Sequence, residues 1–173
     1  MPGGAREPYW STLNRAVEAA SDCDAARFVG EMAQVEARFS SSGKQAIGVY
    51  ALFLLRYRIV HVLGKLVPEE ADFDRVSDAG YGRFESVLAA VSPQTYKAAL
   101  RSSFLGEVPG DVLTNTEAFV CTIAALGSLM TEPDATLAQM RPALDKYCET
   151  NAVTLERLYA TGERSPDRRP PEP

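Results

Sequence analysis

Lys44-Gln45-Ala46-Ile47-Gly48-Val49-Tyr50-Ala51-Leu52-Phe53-Leu54-Leu55-Arg56-Tyr57-Arg58-Ile59-Val60-His61-Val62-Leu63-Gly64-Lys65-Leu66-Val67 is the most apolar stretch of this 173-residue sequence. Its apolar residues do not alternate with polar ones, so a half-buried strand is excluded. Apolar side chains recur three and four residues apart without a break, which predicts one long helix from about Lys44 to Val67. Pro68 stops it. The uninterrupted apolar run inside it, Ala46–Leu55, has ten residues before Arg56-Tyr57-Arg58 intervenes, too short to cross a bilayer.

Outward from that helix the same period appears nearly everywhere, and no stretch alternates over six residues with β-branched enrichment. Toward the N-terminus, a first helix is expected from Ser11 to about Ala20. Ser21-Asp22 or Asp24 caps a second that reaches about Phe39, with Phe28, Met32, Val35 and Phe39 on one face. Ser40-Ser41-Ser42-Gly43 reads as a loop. Toward the C-terminus, Pro68, Glu69 and Glu70 open a fourth helix that buries Phe73, Val76, Gly80, Phe84, Val87 and Val91, with a kink or break at Gly80-Tyr81-Gly82. Ser92-Pro93 opens a fifth, to about Leu105. Gly106–Gly110 is a loop.

Thr114-Asn115-Thr116-Glu117 has the capping-box pattern. The helix after it, to about Met130, carries no charge beyond Glu117 and should be central. Glu132-Pro133-Asp134 starts another, which Pro142 kinks or restarts. Leu144, Cys148, Asn151, Leu155 and Leu158 stripe the last one. The expected fold is therefore all-α: a compact bundle of about six to eight helices in one domain, residues 11–160. Residues 1–10 and the Pro/Arg-rich residues 161–173 are expected as disordered tails, since neither shows a face to bury.

Composition narrows the class. The net charge is −5, and an acidic body repels a phosphate backbone, so no nucleic-acid partner is expected. Cys23, Cys121 and Cys148 are odd in number and widely spaced, which is no disulfide framework and fits a reducing, cytoplasmic setting. Met1-Pro2-Gly3-Gly4-Ala5-Arg6-Glu7-Pro8 lacks the apolar core of a signal peptide. The dominance of arginine over lysine, with abundant alanine, hints at a GC-rich bacterial genome.

Motifs for chemistry are missing. His61 is the lone histidine, and Arg58 stands three residues before it, where a di-iron bundle needs glutamate. The cysteines are 98 and 27 residues apart, unlike zinc ligands. Read from Asp72, a calcium loop finds Val76, Ser77 and Arg83 where it needs an oxygen ligand, glycine and glutamate. Gly80-Tyr81-Gly82 lacks the third glycine and the strand of a dinucleotide loop. No catalytic residue, metal or cofactor is therefore assigned. Glu70, Asp74 and Asp78 share a helix face, which reads first as a solvated surface and otherwise as a dock for a basic partner. A nucleophilic pair of His61 with Cys121 or Cys148 has no local signature.

Arg56 is the residue that most asks for an explanation. With Lys44, Arg58 and Lys65 taken as the wet stripe, Arg56 lies about 160° away, among Val49, Leu52, Val60 and Leu63. A guanidinium there is expected to be buried, and its charge must then be met. Glu117, Asp78 and Glu85 are candidate internal partners. A ligand carboxylate or phosphate in an apolar pocket is the sharper alternative, and snorkelling to an edge or interface is the third. Tyr50, Tyr57 and His61 line the border of the two faces, as at an interface or an ordinary core edge. Arg56, Tyr57 and His61 are accordingly the candidate ligand-binding residues.

Chemistry is missing while helix surface is plentiful. The leading functional expectation is a non-enzymatic helical module that binds another protein or itself as a homodimer. A bundle binding a small apolar or anionic ligand through Arg56 is second, and an enzyme using dispersed carboxylates third.

Overall fold

The computed structural model describes residues 4–84, 92–105, 115–130 and 136–163, with side chains undescribed at 83–84, 102–105 and 115–118. Among the described residues eight helices follow one another: α1 (Glu7–Ser21), α2 (Ala25–Arg38), α3 (Ser41–Leu63), α4 (Glu70–Phe84), α5 (Pro93–Leu105), α6 (Asn115–Ser128), α7 (Leu137–Thr150) and α8 (Ala152–Gly162). Among the described residues there is no strand, only an isolated bridge between Phe39 and Glu163. The all-α bundle read from the sequence is the fold.

Local chemistry sets the boundaries. Asp24 caps α2, its carboxylate accepting from the Arg27 N–H at 3.0 Å. Ser92 caps α5 by accepting from the Thr95 N–H at 3.1 Å. Thr136 and Gln139 close a reciprocal capping box on α7, which continues through Pro142. The helix start expected near Glu132 and the capping box expected at Thr114 fall outside the described residues, as do Gly106–Gly110, Val87 and Val91. Gly64 ends α3 with φ +65°, the left-handed conformation that glycine adopts without a Cβ penalty. Lys65 then reaches Asp72 at 2.6 Å across the α3–α4 turn. That ion pair, with the Glu69 N–H donating at 2.8 Å, holds the Asp72 carboxyl below the usual carboxylate range.

Three expectations are corrected. Residues 1–10 are not all tail: α1 begins at Glu7, and Tyr9 and Trp10 lie in the core. Arg141 of α7 explains why, pairing with Glu7 at 2.6 Å while its guanidinium lies over the Trp10 ring at 5.0 Å. Residues 161–163 are not tail either. Gly162 is buried, and Ser40 donates through its hydroxyl to the Thr161 carbonyl at 2.6 Å and through its N–H to the Gly162 carbonyl at 2.8 Å. Lastly, Ser41–Gly43 form the first turn of α3 instead of a loop, because Ser40 caps the helix by accepting from the Gly43 N–H. Smaller shifts follow the same logic. α4 runs through Gly80-Tyr81-Gly82 unbroken, and the last stripe divides at Asn151 into α7 and α8.

The core sits between α3 and α6. α3 packs on α1, α5, α6, α7 and α8, while α6 packs on α1, α3, α4 and α5. From Cys121 to Ser128 every residue of α6 is buried, as its lack of charge anticipated. α3 buries Gly43, Ala46, Ile47, Tyr50, Ala51, Leu54, Leu55, Arg58 and Ile59, a stripe at the helical period. Taken whole, α3 has the length and composition to cross a membrane, with mean hydropathy 1.6 over its richest window. Of that window, 44% is buried inside the bundle.

Candidate interaction face on α3

The two arginines of α3 exchange the roles expected of them. Arg58 is the buried one, 5% exposed, and Arg56 is exposed. The expectation that Arg56 is buried is thus overturned. The sequence orients the wet stripe by Lys44, Arg58 and Lys65. Two of these stand near the helix ends, where a long side chain reaches water from either face, and they pair with Glu36 and Asp72. The close-packed stripe is instead marked by the small residues Gly43, Ala46 and Ala51, which let neighbouring helices approach.

Arg58 earns its burial at the end of α6. Its Nε–H donates to the Leu129 carbonyl at 2.8 Å, just beyond the last residue of that helix. The C-terminal carbonyls of a helix lack intrahelical donors and carry its negative pole, so a cation there is satisfied twice over. Beside it, the Ser128 hydroxyl donates to the Ala125 carbonyl at 2.7 Å and lies 3.2 Å from the Tyr96 hydroxyl. Burial pushes the Tyr96 phenol up to about 12. This group of polar side chains terminates α6 inside the core.

Around Arg56 the wheel neighbours named from the sequence are present, but they lie at the border of the core instead of inside it. Leu52 is exposed, and Val49, Val60 and Leu63 are half-buried. Tyr57 and His61, the other two candidate binding residues, are exposed one turn apart on the flank toward α7. Phe53 joins that flank to α7, stacking on Tyr147 with centroids 4.5 Å apart and on Tyr57 at 6.2 Å. The apolar character continues past the helix end, where Leu66 and Val67 are 78% and 77% exposed. Arg56, Tyr57 and His61 are therefore on one stretch of surface, Arg56 to one side and the aromatic pair to the other. Of the carboxylates weighed as its partners, Asp78 is exposed, while Glu85 and Glu117 lie outside the described side chains.

Tyr50 belongs elsewhere. It is buried, and its hydroxyl meets the Tyr159 hydroxyl, while Tyr9 donates to the Tyr159 carbonyl at 3.3 Å. Phe39 packs on Tyr9 at 5.1 Å. Burial raises the Tyr159 phenol to about 12 and lifts Tyr9 above its usual value. This cluster locks α1, α3 and α8 together. The sequence signal for it was the outlying Tyr9 and Tyr159, each in a segment read as a tail or its border.

The remaining candidates resolve into structural roles. Glu70 and Asp74 are bridged by Lys97 of α5, and Arg101 also approaches Glu70, so two of the three carboxylates of the acidic face meet cations of the neighbouring helix, while Asp78 is exposed. His61 is exposed whereas Cys121 and Cys148 are buried. Burial raises the Cys148 thiol, the opposite of an activated nucleophile. Among the described residues no group of three or more His, Cys, Asp or Glu side chains is placed to hold a metal ion. No protein-family model, curated protein or solved structure matches this chain.

Proposed function

We propose that this protein is a non-enzymatic helical module that acts by binding another protein, or a second copy of itself, through the outward face of α3. One observation carries the reading. The central helix of a bundle is ordinarily polar where it meets water, yet α3 there presents Leu52, Tyr57 and Val62, and Leu66 and Val67 follow it. Tyrosine and arginine are the side chains that concentrate binding energy at protein interfaces, and Arg56 and Tyr57 stand together on this face. Three free cysteines support a reducing, cytoplasmic setting for it.

The test compares the protein with the double variant Leu52→Glu, Tyr57→Glu, both purified from the native host and weighed by native mass spectrometry. The expected result is a complex of defined mass for the wild type that the variant loses, with unchanged thermal unfolding. At about 2 kcal/mol for each contact residue, the two substitutions together weaken binding by about 1,000-fold. A wild-type protein that is monomeric and carries no partner, or a variant that keeps the same complex, defeats the proposal.

A further inference from the structure

We draw no further inference here: the strongest candidate, the exposed apolar surface that runs from Leu52 along α3 to Leu66 and Val67, belongs to the face already described, its central cation Arg56 is engaged by a contact of its own, and nothing in the structure shows which occupant covers it.

Discussion

Gly43→Ala adds one methyl group at the place where α3 and α8 cross. Its Cβ would run into the Gly162 carbonyl oxygen, with the carbonyl carbon at 2.9 Å and Phe39 Cβ also at 2.9 Å. The obstacle is backbone, which cannot rotate aside, so α8 must shift. Overpacking of this kind costs about 1–3 kcal/mol. The shift also strains the two hydrogen bonds from Ser40 to Thr161 and Gly162, worth about 1 kcal/mol each. Against these, replacing glycine by alanine inside a helix gains up to about 1 kcal/mol. The sum is a loss of about 2–4 kcal/mol, a fall in Tm on the order of 4–16 °C for a domain of this size. Gly48→Ala is the control in the same helix: its Cβ would meet only Phe119 Cδ2, at 3.8 Å. There the helix-propensity gain stands alone, and stability should rise by up to about 1 kcal/mol. Urea unfolding of the two variants beside the wild type measures both. Equal effects, or a Gly43→Ala protein as stable as the wild type, would refute the close approach of α3 and α8.

Arg58→Met removes the donor to the half-buried Leu129 carbonyl and should cost about 1–3 kcal/mol, whereas Arg56→Met, at an exposed position, should change stability by about 1 kcal/mol or less; chemical denaturation of both tests the exchange of roles, and the reverse order would overturn it. Deleting residues 161–163 together with all that follows should cost about 2 kcal/mol, because both Ser40 hydrogen bonds go; no change in Tm would mean α8 is not anchored there. The phenols of Tyr159 and Tyr96 titrate near 12 in the folded protein, against about 10 in an unfolded chain. Because the folded state favours the neutral phenols, their contribution is fully present below about pH 10 and is lost as the pH climbs from there toward 12. Unfolding free energies across that interval should fall steeply, and phenolate absorbance should show these tyrosines ionising late. A flat stability profile would refute their burial.

Much of the architecture was legible because helix periodicity and caps are local. Asp24, Ser92 and Gly64 act within a few residues of themselves, and the absence of charge after Glu117 announces the burial of α6. What a sequence conceals is which side of a helix faces inward when both sides are apolar. In α3 the charges are a poor compass, since the end cations Lys44 and Lys65 reach carboxylates at Glu36 and Asp72. A buried cation such as Arg58 is invisible until the end of α6 arrives to receive it. The reading therefore errs by part of a turn: Arg56 and Leu52 are exposed, while Val49, Val60 and Leu63 pack half-buried against the edge of the core. The anchoring of Tyr9 and Gly162 is hidden for a related reason: each segment is short, and the hydrogen bonds that hold it, from Tyr9 to Tyr159 and from Ser40 to Gly162, span more than a hundred residues.

That last separation bears on how the chain reaches its final state. Tyr9, Tyr50 and Tyr159 come from helices made at widely different times during synthesis, and the bond from Tyr9 to Tyr159 closes a loop of 150 residues. Contacts so remote in the chain form slowly, after neighbouring helices have already paired. Their three phenols leave water together only when that closure occurs. Tyrosine absorbance followed in stopped-flow refolding should therefore contain a late phase absent from the far-ultraviolet helix signal, giving the molecule an intrinsic clock for the moment α1 and α8 meet.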